Sequence, residues 1–171
     1  MTADAKQAKG NGKPAPAAAG ADDGIRLRPM RKADLDVLLP HEQAMFGTEF
    51  WSRDSYLDEL ADTELRLYLV AEDAGGQVLA SAGLLTIAET AQILTIGVLP
   101  LARRRGIARL LVNALVAEAR RRHAHEVLLE VRVDNKPARE LYESEGFAVI
   151  GTRRGYYDRG RVDAVVMRRE L

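Results

Sequence analysis

Two stretches of the sequence combine residue types that can do chemistry, and the first of them suits an anion. Residues 98–108 read Val-Leu-Pro-Leu-Ala-Arg-Arg-Arg-Gly-Ile-Ala, so three arginines and Gly106 separate a strand-like segment from a helix-like one. Backbone N–H groups at a helix start point outward with partial positive charge, and a glycine lets the backbone approach a ligand closely. The pattern predicts a pyrophosphate site, with a solvated basic turn as the alternative. It matches neither the Walker loop nor the dinucleotide-binding glycine pattern.

The second stretch places a carboxylate inside an apolar strand. Glu130 lies in the run Leu-Leu-Glu-Val-Arg at residues 128–132. Burying a carboxylate is costly unless it is hydrogen-bonded or its pKa rises, so Glu130 is a candidate general base. The alternative is a glutamate at a sheet end that is paired to an arginine. Tyr142 follows at helical spacing with Ala138 and Leu141, which by itself is typical of a packed core tyrosine.

Alternation and helical periodicity predict the elements that must position these groups. We expect strands at residues 25–27, 66–72, 77–88, 91–98, 126–131, 147–151 and 162–168. A first helix is expected over residues 32–45, with a break or kink at Pro40, and a second after the N-cap Ser52. A third helix should follow the basic loop of residues 101–105 and end near residue 122, and a fourth should run from the cap Asn135 to Gly146. Hairpins come early and β–α–β units late, which predicts an α/β domain with a mixed, mostly antiparallel sheet flanked by helices.

Composition excludes several classes of protein. The 171 residues contain no cysteine, which excludes a disulfide scaffold, a cysteine nucleophile and a cysteine-ligated zinc site, and no cluster has metal-ligand spacing. No apolar run approaches the roughly 18 residues of a membrane-spanning helix, and the N-terminus lacks the apolar region of a secretory signal. Residues 1–24 are rich in Ala, Gly and Pro, so we expect a disordered tail before one domain over residues 25–171.

Charge is divided unevenly along the chain. The formal net charge is zero, yet residues 25–100 carry a net −6 and residues 101–171 a net +6. This division predicts one surface for an anion and another for a cation, or two halves that simply attract each other. The basic residues are not interleaved with aromatic residues and the overall pI is near neutral, so no direct nucleic-acid binding is expected. No membrane partner is expected either, because no apolar run is long enough to span a membrane.

A family resemblance rests on the basic loop. The run Arg103-x-x-Gly106-x-Ala108 resembles the Arg/Gln-x-x-Gly-x-Gly/Ala signature of the GCN5-related N-acetyltransferase (GNAT) superfamily, in which the backbone amides of this loop hold the pyrophosphate of acetyl-CoA. The resemblance implies a single GNAT-like domain that uses acetyl-CoA and no metal. It also implies that the coenzyme is contacted by a set of residues before, in and after the loop: Ile96, Val98, Arg103, Arg104, Arg105, Gly106, Ile107, Ala108, Arg109 and Asn135.

Further along, the chain resembles one branch of that superfamily. Residues 130–147 closely resemble the RimI-type ribosomal-protein alanine N-acetyltransferases, and residues 153–167 resemble that branch's R-R-x-Y-Y and D-A-x-x-M ending. Trp51-Ser52 resembles its Pro-Trp-Ser segment, although Phe50 replaces the proline.

The resemblance also implies roles for individual residues. Glu130 corresponds to the general base that takes the proton of the attacking amine, and Tyr142 to the general acid that protonates the leaving thiolate. Trp51, Tyr156 and Tyr157 are expected to wall a peptide groove, with ordinary packing as the alternative for these aromatic residues.

These roles predict a cytoplasmic enzyme that acetylates a protein N-terminus, with the N-terminal Ala or Ser of a small-subunit ribosomal protein as the leading acceptor. One alternative keeps the fold and the coenzyme but acetylates other N-termini, lysine side chains or a small molecule. Another is a non-catalytic domain that binds acyl-CoA or a protein partner. The presence of both Glu130 and Tyr142 argues against the non-catalytic alternative.

Overall fold

Seven strands form one mixed sheet in the computed structural model, which describes residues 24–171. The strands are β1 (Arg26–Pro29), β2 (Arg66–Glu72), β3 (Val78–Ile87), β4 (Thr90–Val98), β5 (Glu126–Arg132), β6 (Ala148–Tyr157) and β7 (Val162–Glu170). Their order is β1-β2-β3-β4-β5-β7-β6; β4 and β5 are parallel, and the other neighbours are antiparallel. This confirms the predicted mixed, mostly antiparallel sheet. Residues 1–23 of the predicted tail lie outside the described residues.

Four α-helices flank the sheet: α1 (Leu35–Phe46), α2 (Arg53–Ala61), α3 (Ile107–Arg121) and α4 (Lys136–Ser144). Both predicted N-caps are present: the Ser52 hydroxyl accepts the N–H of Ser55 at 3.1 Å, and the Asn135 side chain accepts the N–H of Ala138 at 3.3 Å. A break or kink was predicted at Pro40, and the break does not occur, since α1 continues through this residue. The apolar side chains of α1 that pack beneath the sheet hold this segment helical although the proline removes one backbone hydrogen bond.

The two faces of the sheet are covered by different helices. Helix α3 presents apolar side chains with helical periodicity, and Leu111, Val112 and Leu115 are fully buried in the main core on one face. On the opposite face α1 and α2 cover a smaller core that contains Tyr56 and Tyr68. Burial of each large apolar side chain contributes about 1.5–3 kcal/mol to stability. The cores on both faces therefore stabilise the sheet that carries the candidate residues.

Strands β4 and β5 separate partway along their length. They pair only from Thr90–Glu126 to Ile93–Leu129, although both strands continue beyond this point. The register of β4 against β3 shifts next to Leu94, which is the extra residue of a β-bulge. Beyond the last pair, the backbone groups on the facing edges of the two strands line an open gap.

Candidate active site

The loop between β4 and α3 presents a row of free backbone N–H groups. Within the described part of the chain, the N–H groups of residues 104–109 donate to no other group, and Leu110 is the first whose N–H finds a partner, the carbonyl of Gly106 at 3.0 Å. Arg104 and Gly106 both have left-handed backbone, with φ of +65° and +75°. Successive N–H groups in this conformation, at the start of a helix, form an anion-binding concavity. A Cβ at Gly106 would meet no atom within 4 Å, so the approach is open.

The side chains of this loop differ in their exposure and in whether they have partners within the protein. Arg104 and Arg105 are exposed and make no ion pair within residues 24–171. Arg103 is turned back, and its Nε donates to the carbonyl of Val98 at 3.2 Å. Ile107 is only 2% exposed in the main core, so it can offer a ligand its backbone alone.

Arg109 binds the end of α4. Its guanidinium lies 2.9 Å from a carboxylate oxygen of Glu145 and donates to the hydroxyl of Ser144 at 3.1 Å. Ile96 and Val98, on the separated part of β4, are half-buried against the main core. The coenzyme contacts expected of these three side chains, and of Asn135, stay predictions; at Asn135 the side-chain oxygen already caps α4.

Glu130 lies immediately beyond the last β4–β5 pair, on the sheet face opposite the main core. Its two carboxylate oxygens are both occupied: Gln92 Nε2 donates to one at 2.8 Å, and the Arg153 guanidinium donates to the other at 2.8 Å. The alternative expected from the sequence was a glutamate paired to an arginine, and Arg153 is that arginine. The side chain is 15% exposed, so this carboxylate reaches solvent at the mouth of the gap.

Tyr142, on α4, packs at the edge of the main core. Its ring meets that of Phe147 edge-on, with 5.9 Å between the ring centroids. Among the described residues no group hydrogen-bonds its hydroxyl, and burial alone raises the pKa of Tyr142 to about 12. A phenol with this pKa keeps its proton at neutral pH, and its hydroxyl is free to bond a ligand.

Tyr157 lies close to both of these residues. Its hydroxyl donates to the backbone carbonyl of Glu130 at 3.3 Å. Burial, and then the neighbouring Tyr156, Glu130 and Tyr142, raise the pKa of Tyr157. Tyr156 is 42% exposed, packs edge-on against Tyr157, and lies beneath the guanidinium of Arg153 at 4.3 Å from the ring centroid. The structure thus brings Tyr157 beside Glu130, and Tyr156 beside the arginine that pairs with Glu130.

Trp51 sits on the segment between α1 and α2, above a buried carboxyl that sequence reasoning missed. Its ring lies 5.5 Å from that of Tyr56, and its backbone N–H points to a carboxylate oxygen of Glu42 at 3.5 Å. The Tyr56 hydroxyl donates to the other oxygen at 2.7 Å, and burial raises the pKa of Glu42, which is 1% exposed. The signal was in the sequence, because Glu42 falls four residues after the buried Leu38 on the apolar face of α1.

A groove of about 480 Å³ runs along the α1–α2 segment and shares no residue with the anion-binding loop; it is lined by Thr48, Glu49, Phe50, Trp51, Ser55, Asp58 and Glu59. Its acidic side chains belong to the acidic half of the sequence. Within residues 24–171, no group of three or more His, Asp or Glu side chains is placed to hold a metal ion. No helix of this part of the chain is long and apolar enough to cross a membrane.

Comparison with known proteins places the chain among acetyltransferases. The model of the acetyltransferase (GNAT) family matches residues 35–147. The N-alpha-acetyltransferase RimI of Mycobacterium tuberculosis is 34% identical over 151 residues, which cover 85% of this chain and 92% of that protein. The [ribosomal protein bS18]-alanine N-acetyltransferase of Salmonella typhimurium is 34% identical over 119 residues, covering 68% of this chain and 78% of that protein.

A solved structure shows the same architecture. The crystal structure of the ribosomal-protein-S18-alanine N-acetyltransferase from Escherichia coli matches with a TM-score of 0.75 at 29% sequence identity. The match covers 86% of this chain and 94% of that one.

Proposed function

The chain belongs to the acetyltransferase (GNAT) family, and we propose that it moves the acetyl group of acetyl-CoA onto the N-terminal amine of a protein. It is an N-acetyltransferase similar to the RimI enzymes. The acceptor we propose is the N-terminal Ala or Ser of a small-subunit ribosomal protein, because relatives over most of the chain are named for an alanine of ribosomal protein bS18. Such an acceptor implies a reaction in the cytoplasm.

Free N–H groups in the β4–α3 loop fit the pyrophosphate of acetyl-CoA. The N–H groups of residues 104–109 have no partner in the described chain, and the exposed Arg104 and Arg105 add positive charge beside them. Backbone groups of Ile96 and Val98 in the gap beyond the last β4–β5 pair can bond the amides of the pantetheine arm. When bound there, acetyl-CoA supplies the thioester whose acetyl carbon the amine attacks.

Glu130 supplies the base. An α-amine has a pKa near 8 and is mostly protonated at neutral pH, but its neutral fraction is still several hundred times that of a lysine side chain. The Glu130 carboxylate, half-buried at the mouth of the gap, accepts the proton that the amine nitrogen loses as its bond to the acetyl carbon forms. The partners Gln92 and Arg153 hold this carboxylate in place.

Tyr142 supplies the acid. The bond from the acetyl carbon to sulfur breaks as the amide forms, and the sulfur leaves with the electron pair. The Tyr142 hydroxyl, which is protonated at neutral pH and has no protein partner in the described chain, gives this sulfur its proton. The observation that carries the proposal is this pair: a half-buried carboxylate at the gap between β4 and β5, and an unpartnered phenol on α4, both of which act on the pKa of Tyr157.

Turnover on a small panel of peptides tests the proposal. The panel contains an Ala-initiated ribosomal-protein N-terminus, its Ser-initiated variant, and a version whose N-terminus is blocked and whose internal lysine is free. We expect acetylation of the first two peptides and none of the third. Acetylation of the blocked peptide, or of none of the three, would contradict the proposed acceptor.

A matched pair of variants tests the base. Glu130→Gln should lower kcat by about 10²–10⁴-fold, the range for general acid–base catalysis. The control Glu89→Gln makes the same chemical change in the turn before β4, where the side chain is 73% exposed, and should leave kcat unchanged. Equal activity of the two variants would remove Glu130 from the mechanism.

A further inference from the structure

Two loops next to the aromatic residues that are expected to wall the peptide groove meet at one residue. The first is the segment between α1 and α2 that carries Trp51, and the second connects β6 to β7 directly after Tyr157. The backbone N–H of Asp158, in the second loop, donates to a carboxylate oxygen of Glu49 in the first at 3.0 Å. The Thr48 hydroxyl reaches the Asp158 carboxylate at 3.4 Å.

Asp158 is also tied to the strand that carries Glu130. Its second carboxylate oxygen accepts the Arg132 guanidinium at 2.8 Å, and the two side chains are each about one-third exposed. Arg132 lies two residues after Glu130 on β5 and is held from its other side by Asp134 through bonds of 2.8 and 2.9 Å. Its guanidinium lies 5.8 Å from the centre of the Tyr157 ring. Asp158 therefore joins β5 through its carboxylate and the Trp51 loop through its backbone N–H, with the Thr48 hydroxyl, which lies 2.8 Å from Glu49, as a second and longer contact of the carboxylate.

The backbone at this residue is unusual. Asp158 and Arg159 have φ of +52° and +54°, in the left-handed region that residues other than glycine seldom adopt. Such conformations cost about 1–3 kcal/mol each and persist where surrounding contacts impose them. At Asp158 those contacts are the three just described. Arg159 makes no ion pair within residues 24–171, so it serves as a comparison that shares the backbone conformation but not the contacts.

We propose that Asp158 is a positioning residue that fixes the Trp51 loop relative to Tyr156, Tyr157 and Glu130, and so sets the width of the groove that receives the acceptor. The inference rests on the proposed function and on the expectation from the sequence that Trp51, Tyr156 and Tyr157 wall the groove that receives the peptide. Within residues 24–171, the anion-binding loop makes no hydrogen bond or ion pair with Asp158, so we expect binding of acetyl-CoA not to depend on it.

A pair of glycine substitutions isolates the side chain from the backbone. Glycine adopts positive φ without strain, so Asp158→Gly removes the carboxylate while keeping the loop conformation accessible. Arg159→Gly makes the same backbone change one residue later and keeps the carboxylate. We expect Asp158→Gly to raise the KM of the acceptor peptide about tenfold, as expected for a lost charge-assisted contact network. The KM of acetyl-CoA should stay unchanged, and Arg159→Gly should change neither constant.

Trp51 gives a second readout that does not depend on activity. It is the single tryptophan of the chain and lies on the loop that Asp158 holds, so its fluorescence reports the position of that loop. Asp158→Gly should shift the emission, whereas Arg159→Gly should not. If Asp158→Gly fails to fold, Asp158→Asn keeps the size and the tolerance of positive φ but loses the charge, and should show a smaller rise of the same KM.

The outcomes separate this inference from the proposed function. If the wild-type protein acetylates no peptide N-terminus, the proposed function fails, and the emission of Trp51 still tests the role of Asp158. If the wild-type protein is active and Asp158→Gly leaves both the acceptor KM and the emission unchanged, the positioning role fails alone. An equal rise of both KM values, with a lower melting temperature, would make Asp158 a structural residue and overturn the inference.

Discussion

Replacing Tyr142 by phenylalanine separates catalysis from packing, because the two side chains differ only in the hydroxyl. The ring contact with Phe147, at 5.9 Å between centroids, is kept. No hydrogen bond within the described chain is lost, since that hydroxyl has no partner there. We therefore expect the free energy of unfolding to change by no more than about 0.5 kcal/mol, as for substitutions that remove no buried contact.

Activity should respond very differently. If the hydroxyl gives its proton to the leaving sulfur, Tyr142→Phe should lower kcat by about 10²–10⁴-fold, which corresponds to a barrier higher by about 2.7–5.5 kcal/mol. The pKa of Tyr142 is raised to about 12, so the wild-type protein should show no loss of activity from this group until the pH approaches that value. Steady-state turnover at saturating acetyl-CoA, measured with thermal unfolding, gives both quantities.

Tyr56→Phe is the matched control, since it removes a tyrosine hydroxyl that does have a partner. It leaves a carboxylate oxygen of the buried Glu42 without its donor at 2.7 Å, which should cost about 1–3 kcal/mol of stability. The two variants should thus show opposite patterns, with turnover lost in one and stability lost in the other. Tyr142→Phe with turnover within a few-fold of the wild type, or with a clearly lower melting temperature, would refute the reasoning.

Three further predictions concern the scaffold around the site. Gly106→Ala should weaken acetyl-CoA binding in calorimetry and cost about 1–2 kcal/mol of stability, because φ of +75° is unfavourable for any residue with a Cβ; unchanged binding would argue against the loop as the anion site. Ser52→Ala removes the cap of α2 and should cost about 0.5–2 kcal/mol in chemical denaturation. Arg28 holds the pKa of Asp34 below its usual range through bonds of 2.7 and 2.8 Å; the stability that this pair contributes is present above the unfolded pKa and is lost as the pH falls through the lower folded pKa. The stability of the Asp34→Asn variant should not show this loss at low pH, and a variant whose acid-unfolding curve matches that of the wild type would contradict the role of the Arg28–Asp34 pair.

Local signals in the sequence were sufficient for most of the elements. The bounds of β2 agree with the predicted residues 66–72, and Ser52 and Asn135 cap the helices that follow them. These features depend on neighbouring residues, so periodicity and capping chemistry report them. Strand β6 is longer than the predicted 147–151, because it is an exposed edge strand whose polar residues show no apolar alternation.

The contacts that shape the candidate site could not be read from spacing. Gln92 and Arg153, which occupy the carboxylate of Glu130, are 38 and 23 residues away in the chain, and Asp158 meets Glu49 across 109 residues. Sequence periodicity tells which face of an element a residue occupies, but the partner on that face depends on how the strands pair. The separation of β4 from β5, which opens the gap, likewise follows from a bulge that no residue type marks.

The central claim is that the acetyl group goes to a protein's N-terminal nitrogen. The most direct test offers the enzyme acetyl-CoA and one peptide that carries both a free N-terminal alanine and an internal lysine, and locates the acetyl group by fragment mass spectrometry. We expect acetyl on the N-terminal nitrogen alone, with the signal strongly reduced in Glu130→Gln and Tyr142→Phe. Acetyl on the lysine nitrogen, or an unmodified peptide with the wild-type protein, would contradict it.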